Sequence, residues 1–97
     1  MTIEKKMDGK TMTMCVSGRL DTLTAPDLEK EIHAIEGADA LVMDFANLDY
    51  ISSAGLRLLL STHKAYAKKG GMTVKNVNET VLDIFEVTGF KDILNIA

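Results

Sequence analysis

Residues 40–71, ALVMDFANLDYISSAGLRLLLSTHKAYAKKGG, combine a short apolar run, a polar turn and a long amphipathic segment. The apolar run Ala40–Met43 ends at Asp44-Phe45 and predicts a buried strand. After the turn, five residues recur at helical spacing and predict the buried stripe of a helix: Leu56, Leu59, Leu60, His63 and Ala67. Gly70-Gly71 suits the end of that helix. A strand followed by a helix is typical of α/β domains.

The segments before this stretch extend the pattern. Residues 11–16 alternate apolar and polar side chains, which predicts a half-buried strand. Ile3 belongs to a preceding strand, with Asp8-Gly9 as the hairpin turn. Gly18 is expected to end the second strand. A helix is predicted after Thr24, whose hydroxyl and the following Thr-x-x-Asp spacing favour a helix cap.

The segments after it complete the fold. Residues 47–50 are predicted to be a loop, and residues 72–77 alternate like another strand. Asn78 suits the start of a third helix and Gly89 its end. Apolar residues from Phe90 to Ile96 predict a short helical tail. The sequence therefore predicts one α/β domain over residues 1–97, a small mixed β-sheet packed with three to four α-helices.

Composition excludes several classes of protein. The chain has 97 residues, 46% hydrophobic and 26% charged, which is typical of one soluble domain. Its net charge of −3 argues against a general nucleic-acid binder. The longest apolar run, Ala40–Met43, is far below the ~20 residues of a membrane span, so we expect no membrane insertion. With one cysteine and no secretory signal at residues 1–10, we expect a cytoplasmic protein.

Charge is unevenly distributed along the chain. Residues 50–78 contain no acidic residue but five basic ones: Arg57, Lys64, Lys68, Lys69 and Lys75. Two interpretations are open. The segment is either an ordinary solvated surface or a face that meets an acidic partner or a phosphate.

Residues with catalytic or metal-binding chemistry are few. His33 and His63 have no His or Cys partner at metal-ligand spacing. We expect His33 on the surface and His63 in the core or at its boundary, with its polar atoms satisfied. Cys15 alternates with apolar residues in a strand and is expected to be a structural thiol. No phosphate-binding loop or nucleophile elbow is present in the sequence. We therefore predict no catalytic residues, no metal, no cofactor and no enzyme activity.

Two adjacent serines, Ser52 and Ser53, stand where the turn meets the predicted helix. One explanation is that a serine hydroxyl caps the helix. The other is that a hydroxyl there accepts a phosphate, because the free N–H groups and the dipole of a helix start favour an anion. Gly55 is a poor helix former, which fits a need for close backbone approach. Arg57 lies one turn on and could screen the phosphate.

The sequence resembles the STAS domain of bacterial anti-sigma factor antagonists. The similarity is carried by Ser17–Asp21 (SGRLD), by Tyr50–Arg57 (YISSAGLR), and by the later Gly70-Gly71 and Phe85–Phe90 segments. The resemblance implies a small mixed sheet with packed helices and a regulatory mechanism called partner switching. The unmodified antagonist binds an anti-sigma factor that is a serine protein kinase; phosphorylation releases it, and a PP2C-like phosphatase resets it.

The resemblance also assigns residues. The phosphoacceptor falls on Ser53. Many members have Asp immediately before the acceptor, and because this chain has Ser52 there, Ser52 is the alternative acceptor. Asp21, Thr22, Ser52, Gly55 and Arg57 would line the partner surface, and Leu58 is expected to be partly exposed beside it. The protein would act as a monomer. An alternative within the same fold is a ligand-sensing or membrane-transporter-associated regulatory module.

Overall fold

The computed structural model describes residues 1–97 and contains one six-stranded sheet, three α-helices and a 3-10 turn. The elements in chain order are β1 (Thr2–Asp8), β2 (Thr11–Leu20), α1 (Ala25–His33), β3 (Ala40–Asp44), β4 (Leu48–Ile51), α2 (Ser53–Ala67), β5 (Gly71–Lys75), α3 (Glu79–Thr88), the 3-10 turn (Phe90–Asp92) and β6 (Asn95–Ile96). The predicted α/β class, mixed sheet and number of helices are confirmed.

The sheet has the strand order β1-β2-β3-β5-β6, and only the β1–β2 pair is antiparallel. Alternate strand residues such as Met14, Met43 and Val74 are fully buried in one core with Leu59 and Phe85 of the helices. The strand residues between them are only partly buried. The helices therefore pack on one face of the sheet, as expected for side chains that alternate across a strand.

Two predictions at the carboxyl end of β2 are wrong. The strand does not end at Gly18 but continues to Leu20; Gly18 adopts a φ of +95°, and the strand register shifts there. Residues 47–50 were predicted as a loop, but three of them join Ile51 in β4 (Leu48–Ile51), which pairs in parallel with β2. A strand of four residues is too short to show a period of two, so only its pairing with β2 identifies it.

The buried stripe of α2 is displaced by one residue from the predicted one. Its buried residues are Gly55, Leu56, Leu58, Leu59, Thr62 and Tyr66. Leu58, predicted to be partly exposed, is only 7% exposed, whereas Ala67 is exposed and His63 is half-buried with no partner for its Nδ1 atom. The reason is that α2 contacts α1 as well as the sheet, which widens and rotates the covered arc.

The third helix starts and ends as predicted, but the tail does not. The Asn78 side chain accepts a hydrogen bond of 2.9 Å from the Val81 amide, and Gly89 ends α3 with a φ of +80°. The tail is a 3-10 turn followed by β6, which pairs with β5, so the prediction of a helical tail is only partly correct. None of the helices is long and apolar enough to cross a membrane.

Candidate functional site

The pairing of β2 with β4 creates the candidate site. Leu20 and Ile51 are register partners, and the amide of Ser52 donates a hydrogen bond of 2.9 Å to the Leu20 carbonyl. Because the two strands are parallel, the segments that follow them leave the same edge of the sheet. Those segments are the Asp21 loop (residues 21–24), which leads into α1, and the serine turn (residues 52–53), which leads into α2.

The two serines of the turn have opposite environments. Ser52 is the N-cap residue of α2, but its side chain makes no capping hydrogen bond, and its Oγ atom is buried without a partner. Ser53 is the first residue of the helix and is exposed. The expectation that a serine hydroxyl caps this helix is therefore wrong for Ser52, and the N–H groups of the first turn receive no side-chain cap.

Gly55 lies in the core rather than on the surface. A Cβ atom there would stand 2.7 Å from both Ile51 Cγ1 and Leu20 Cγ. The close backbone approach inferred from the sequence is therefore real, but it is an approach to the sheet and not to a partner. Since Gly55 is buried, the expectation that it lines a partner surface is corrected to a packing role.

The Asp21 loop is held by hydrogen bonds to a single carboxylate. Asp21 Oδ1 accepts from the amides of Leu23 (3.0 Å) and Thr24 (3.2 Å). The Thr24 hydroxyl accepts from the Asp21 amide at 2.9 Å and donates to the Arg19 carbonyl at 2.7 Å, so it closes the loop and does not cap α1. Burial alone would raise the pKa of Asp21, but these amide hydrogen bonds outweigh it and leave the pKa below its ordinary value.

A groove opens between α1 and α2 beside the serine turn. It has a volume of about 320 Å³, and its lining includes Thr22, Ala54 and Arg57. Leu58, although buried, also lines this groove. Thr22 and Arg57 are exposed, and Arg57 forms no ion pair within the chain. Two of the five residues predicted for a partner surface thus face one groove next to Ser53.

One exposed residue at this edge was missed from the sequence. Leu23, at the tip of the Asp21 loop, is 86% exposed, which is the highest value among the large hydrophobic residues. The available signal in the sequence was an apolar residue between two polar ones, Thr22 and Thr24, shortly after the end of β2. Sequence alone does not reveal that the loop bonds direct this side chain outward.

Other reactive residues lie away from the site. Cys15 occupies the open face of the sheet beside Asp44 and Glu4; burial first, and then those carboxylates, raise the pKa of its thiol. This supports the expected structural role. His33 is exposed as predicted, and no group of three His, Cys, Asp or Glu side chains could hold a metal ion.

The five basic residues of the acid-free segment lie on α2, in the turn after it and at the end of β5. Arg57, Lys64 and Lys68 are exposed, and Lys69 lies over the Tyr66 ring at 4.7 Å. None of the five forms an ion pair within the chain.

Fold and motif together define a STAS domain, whose family model matches residues 2–97. BtrV of Bordetella bronchiseptica, named as an anti-sigma factor antagonist, is 35% identical over 95 residues, covering 95% of this chain and 81% of that protein. The anti-sigma-B factor antagonist of Bacillus subtilis is 27% identical over 100 residues, covering all of this chain and 91% of that protein. The chain belongs to the STAS domain family.

A solved structure agrees with these sequence matches. The crystal structure of an anti-sigma factor antagonist from Mycobacterium paratuberculosis superposes with a TM-score of 0.89 and 27% identity, covering 98% of this chain and 83% of that one. The resemblance noted from the sequence is thereby confirmed at the level of family and fold. The roles of individual site residues stay predictions.

Proposed function

We propose that this protein is an anti-sigma factor antagonist and that phosphorylation of Ser53 ends its binding to its partner. The names of the relatives support the first part, because proteins from several bacterial genera that align along most of the chain are anti-sigma factor antagonists. In this proposal the partner is an anti-sigma factor that is also a serine kinase. A PP2C-like phosphatase removes the phosphate.

The observation that carries the proposal is the contrast between the two serines. A kinase must reach the hydroxyl that it modifies, and Ser53 is exposed while Ser52 Oγ is buried. This contrast favours Ser53 as the acceptor over the alternative, Ser52. Ser52 also has a role within the fold, because its backbone amide joins the serine turn to Leu20.

The position of Ser53 also explains how a phosphate could act on a partner without unfolding the domain. Phosphorylation adds about −1.5 to −2 charges. At the first residue of α2, the uncapped N–H groups and the positive end of the helix dipole stabilise such an anion. Arg57, one turn on, is free of other ion pairs. The fold therefore tolerates the charge, while the surface beside the groove changes in charge and shape.

The proposed partner surface combines the groove and the two segments at the sheet edge. Thr22, Ser53 and Arg57 would contact the anti-sigma factor directly, and Asp21 would hold the loop that presents Thr22. The protein would act as a cytoplasmic monomer. It would be the substrate of a kinase and a phosphatase and would catalyse no reaction of its own.

A binding experiment tests this proposal. Affinity for the anti-sigma factor kinase of the same bacterium is measured by calorimetry for the wild type, Ser53→Ala and Ser53→Asp. Thr80→Asp is the matched control, because Thr80 is also an exposed hydroxyl in the first turn of a helix. We expect Ser53→Asp to lose about tenfold or more in affinity, and Ser53→Ala and Thr80→Asp to change it by less than about threefold. Equal binding by Ser53→Asp and the wild type would overturn the release step.

A further inference from the structure

We propose that Leu23 is an apolar anchor that inserts into an apolar pocket on the anti-sigma factor; this rests on the proposed function. A leucine that is 86% exposed keeps nearly its whole side chain in water. A single exposed leucine is ordinary on a protein surface. Its position beside Ser53 distinguishes Leu23 from the other exposed hydrophobic residues, and the hydrogen bonds of its loop hold it in that position.

The loop that carries Leu23 is fixed before any partner binds. The Leu23 amide itself donates to Asp21 Oδ1, and the Thr24 amide donates to the same oxygen. The Thr24 hydroxyl ties the far end of the loop back to the Arg19 carbonyl. The backbone of a loop held in this way loses little conformational freedom on binding, so burial of the Leu23 side chain contributes more of its transfer free energy to affinity.

The position of Leu23 places it within reach of the same partner as Ser53. Its neighbour Thr22 lines the groove together with Ala54 and Arg57, which are the next residue and the next helical turn after the acceptor. A protein that covers the groove therefore also meets the Asp21 loop. Interface hot spots are side chains that fill well-packed pockets and are surrounded by contacts that exclude water, and Thr22 and Arg57 supply such neighbours on this side.

The same contact would assist phosphorylation. If the kinase and the binding partner are one protein, the pocket that receives Leu23 also helps to bring Ser53 to the kinase. Loss of the anchor should then slow phosphorylation at low substrate concentration, through weaker binding, with little effect at saturating concentration.

The chain offers a matched control for the test. Val87, on α3, is 83% exposed and is also aliphatic, but it does not lie on the Asp21 loop. Affinity for the anti-sigma factor kinase is measured by calorimetry for the wild type, Leu23→Ala, Leu23→Met and Val87→Ala. We expect about a tenfold or greater loss for Leu23→Ala, and changes below about threefold for Leu23→Met and Val87→Ala.

Thermal unfolding of the same variants separates binding from folding. Leu23→Ala should keep the melting temperature of the wild type, because the side chain buries little surface in the free protein. If the wild type binds and Leu23→Ala binds equally well, the anchor is wrong and the proposed function stands. If the wild type itself does not bind the kinase, both the proposed function and the proposed role of Leu23 are wrong.

Discussion

The amide of Ser52 and the carbonyl of Leu20 are joined by a hydrogen bond of 2.9 Å that extends the β2–β4 pairing by one step. This bond fixes the start of α2 against the end of β2. Since the Asp21 loop begins at the next residue after Leu20, the loop and the exposed Ser53 form one rigid edge. A modification at Ser53 therefore changes a surface that the fold has already arranged.

Removal of the Ser52 hydroxyl should stabilise the protein. Its Oγ atom is buried without a hydrogen-bond partner, and such a group costs about 1–3 kcal/mol. We expect Ser52→Ala to raise the free energy of unfolding in urea by about 1 kcal/mol. Ser53→Ala, at the exposed neighbour, should change it by less than about 0.5 kcal/mol. A clear loss of stability in Ser52→Ala would mean that the hydroxyl has a partner in solution.

An added methyl group at Gly55 should destabilise the fold. The new Cβ would lie 2.7 Å from Ile51 Cγ1 and from Leu20 Cγ, so these core side chains would have to shift. Overpacking of this kind costs about 1–3 kcal/mol, which exceeds the gain of up to about 1 kcal/mol in helix propensity. Urea unfolding of Gly55→Ala measures the difference, with Ser61→Ala as an exposed control on α2. Unchanged stability would show that Gly55 is not packed as described.

Asp21 should make stability depend on pH under acidic conditions. Its pKa is lowered in the folded state, so its contribution is complete above the unfolded value of about 4 and is lost as pH falls through the folded value. Asp21→Asn keeps an acceptor for the Leu23 and Thr24 amides but removes the titration. We therefore expect the unfolding free energy of the wild type to fall more steeply than that of Asp21→Asn between about pH 5 and pH 2.

Two outcomes complete the test of Asp21. Asp21→Ala removes the acceptor altogether and should lose both stability and affinity for the partner, because the loop that carries Thr22 and Leu23 is released. Parallel stability curves for the wild type and Asp21→Asn would contradict the assignment. Asp44, whose pKa is also lowered in the folded state, is present in both proteins and cancels in the comparison.

The thiol of Cys15 should react slowly. Burial, together with the carboxylates of Asp44 and Glu4, raises its pKa and lowers the fraction of thiolate. Alkylation by iodoacetamide at about pH 8 should be slower than that of free cysteine, whose pKa is about 8.5. Asp44→Asn should accelerate the reaction. A rate equal to that of free cysteine in the wild type would contradict the described surroundings of the thiol.

The bounds of α3 follow from local sequence and were predictable, whereas features set by tertiary contacts were not. The cap at Asn78 and the end at Gly89 depend on a few adjacent residues and were predicted correctly. The four-residue strand β4 exists because it pairs with β2, and the rotation of the α2 stripe arises from contact with α1. Neither cause can be inferred from periodicity.

The candidate site divides in the same way. Ser53 and Arg57 were predicted from the motif, and Thr22 as a neighbour of Asp21; the structure leaves all three exposed, with Thr22 and Arg57 lining one groove. Gly55 was predicted to line the partner surface but packs in the core, because sequence alone does not tell which side of a helix a glycine faces. Leu23 was missed because its exposure depends on the hydrogen bonds of Asp21.

The central claim, that Ser53 is the phosphoacceptor, is tested most directly by mapping the phosphate. The wild type, Ser52→Ala and Ser53→Ala are incubated with the anti-sigma factor kinase and ATP, and phosphopeptides are sequenced by mass spectrometry. We expect a single phosphate on Ser53 in the wild type and in Ser52→Ala, and none in Ser53→Ala. Phosphate on Ser52 in the wild type, or continued phosphorylation of Ser53→Ala, would contradict the claim.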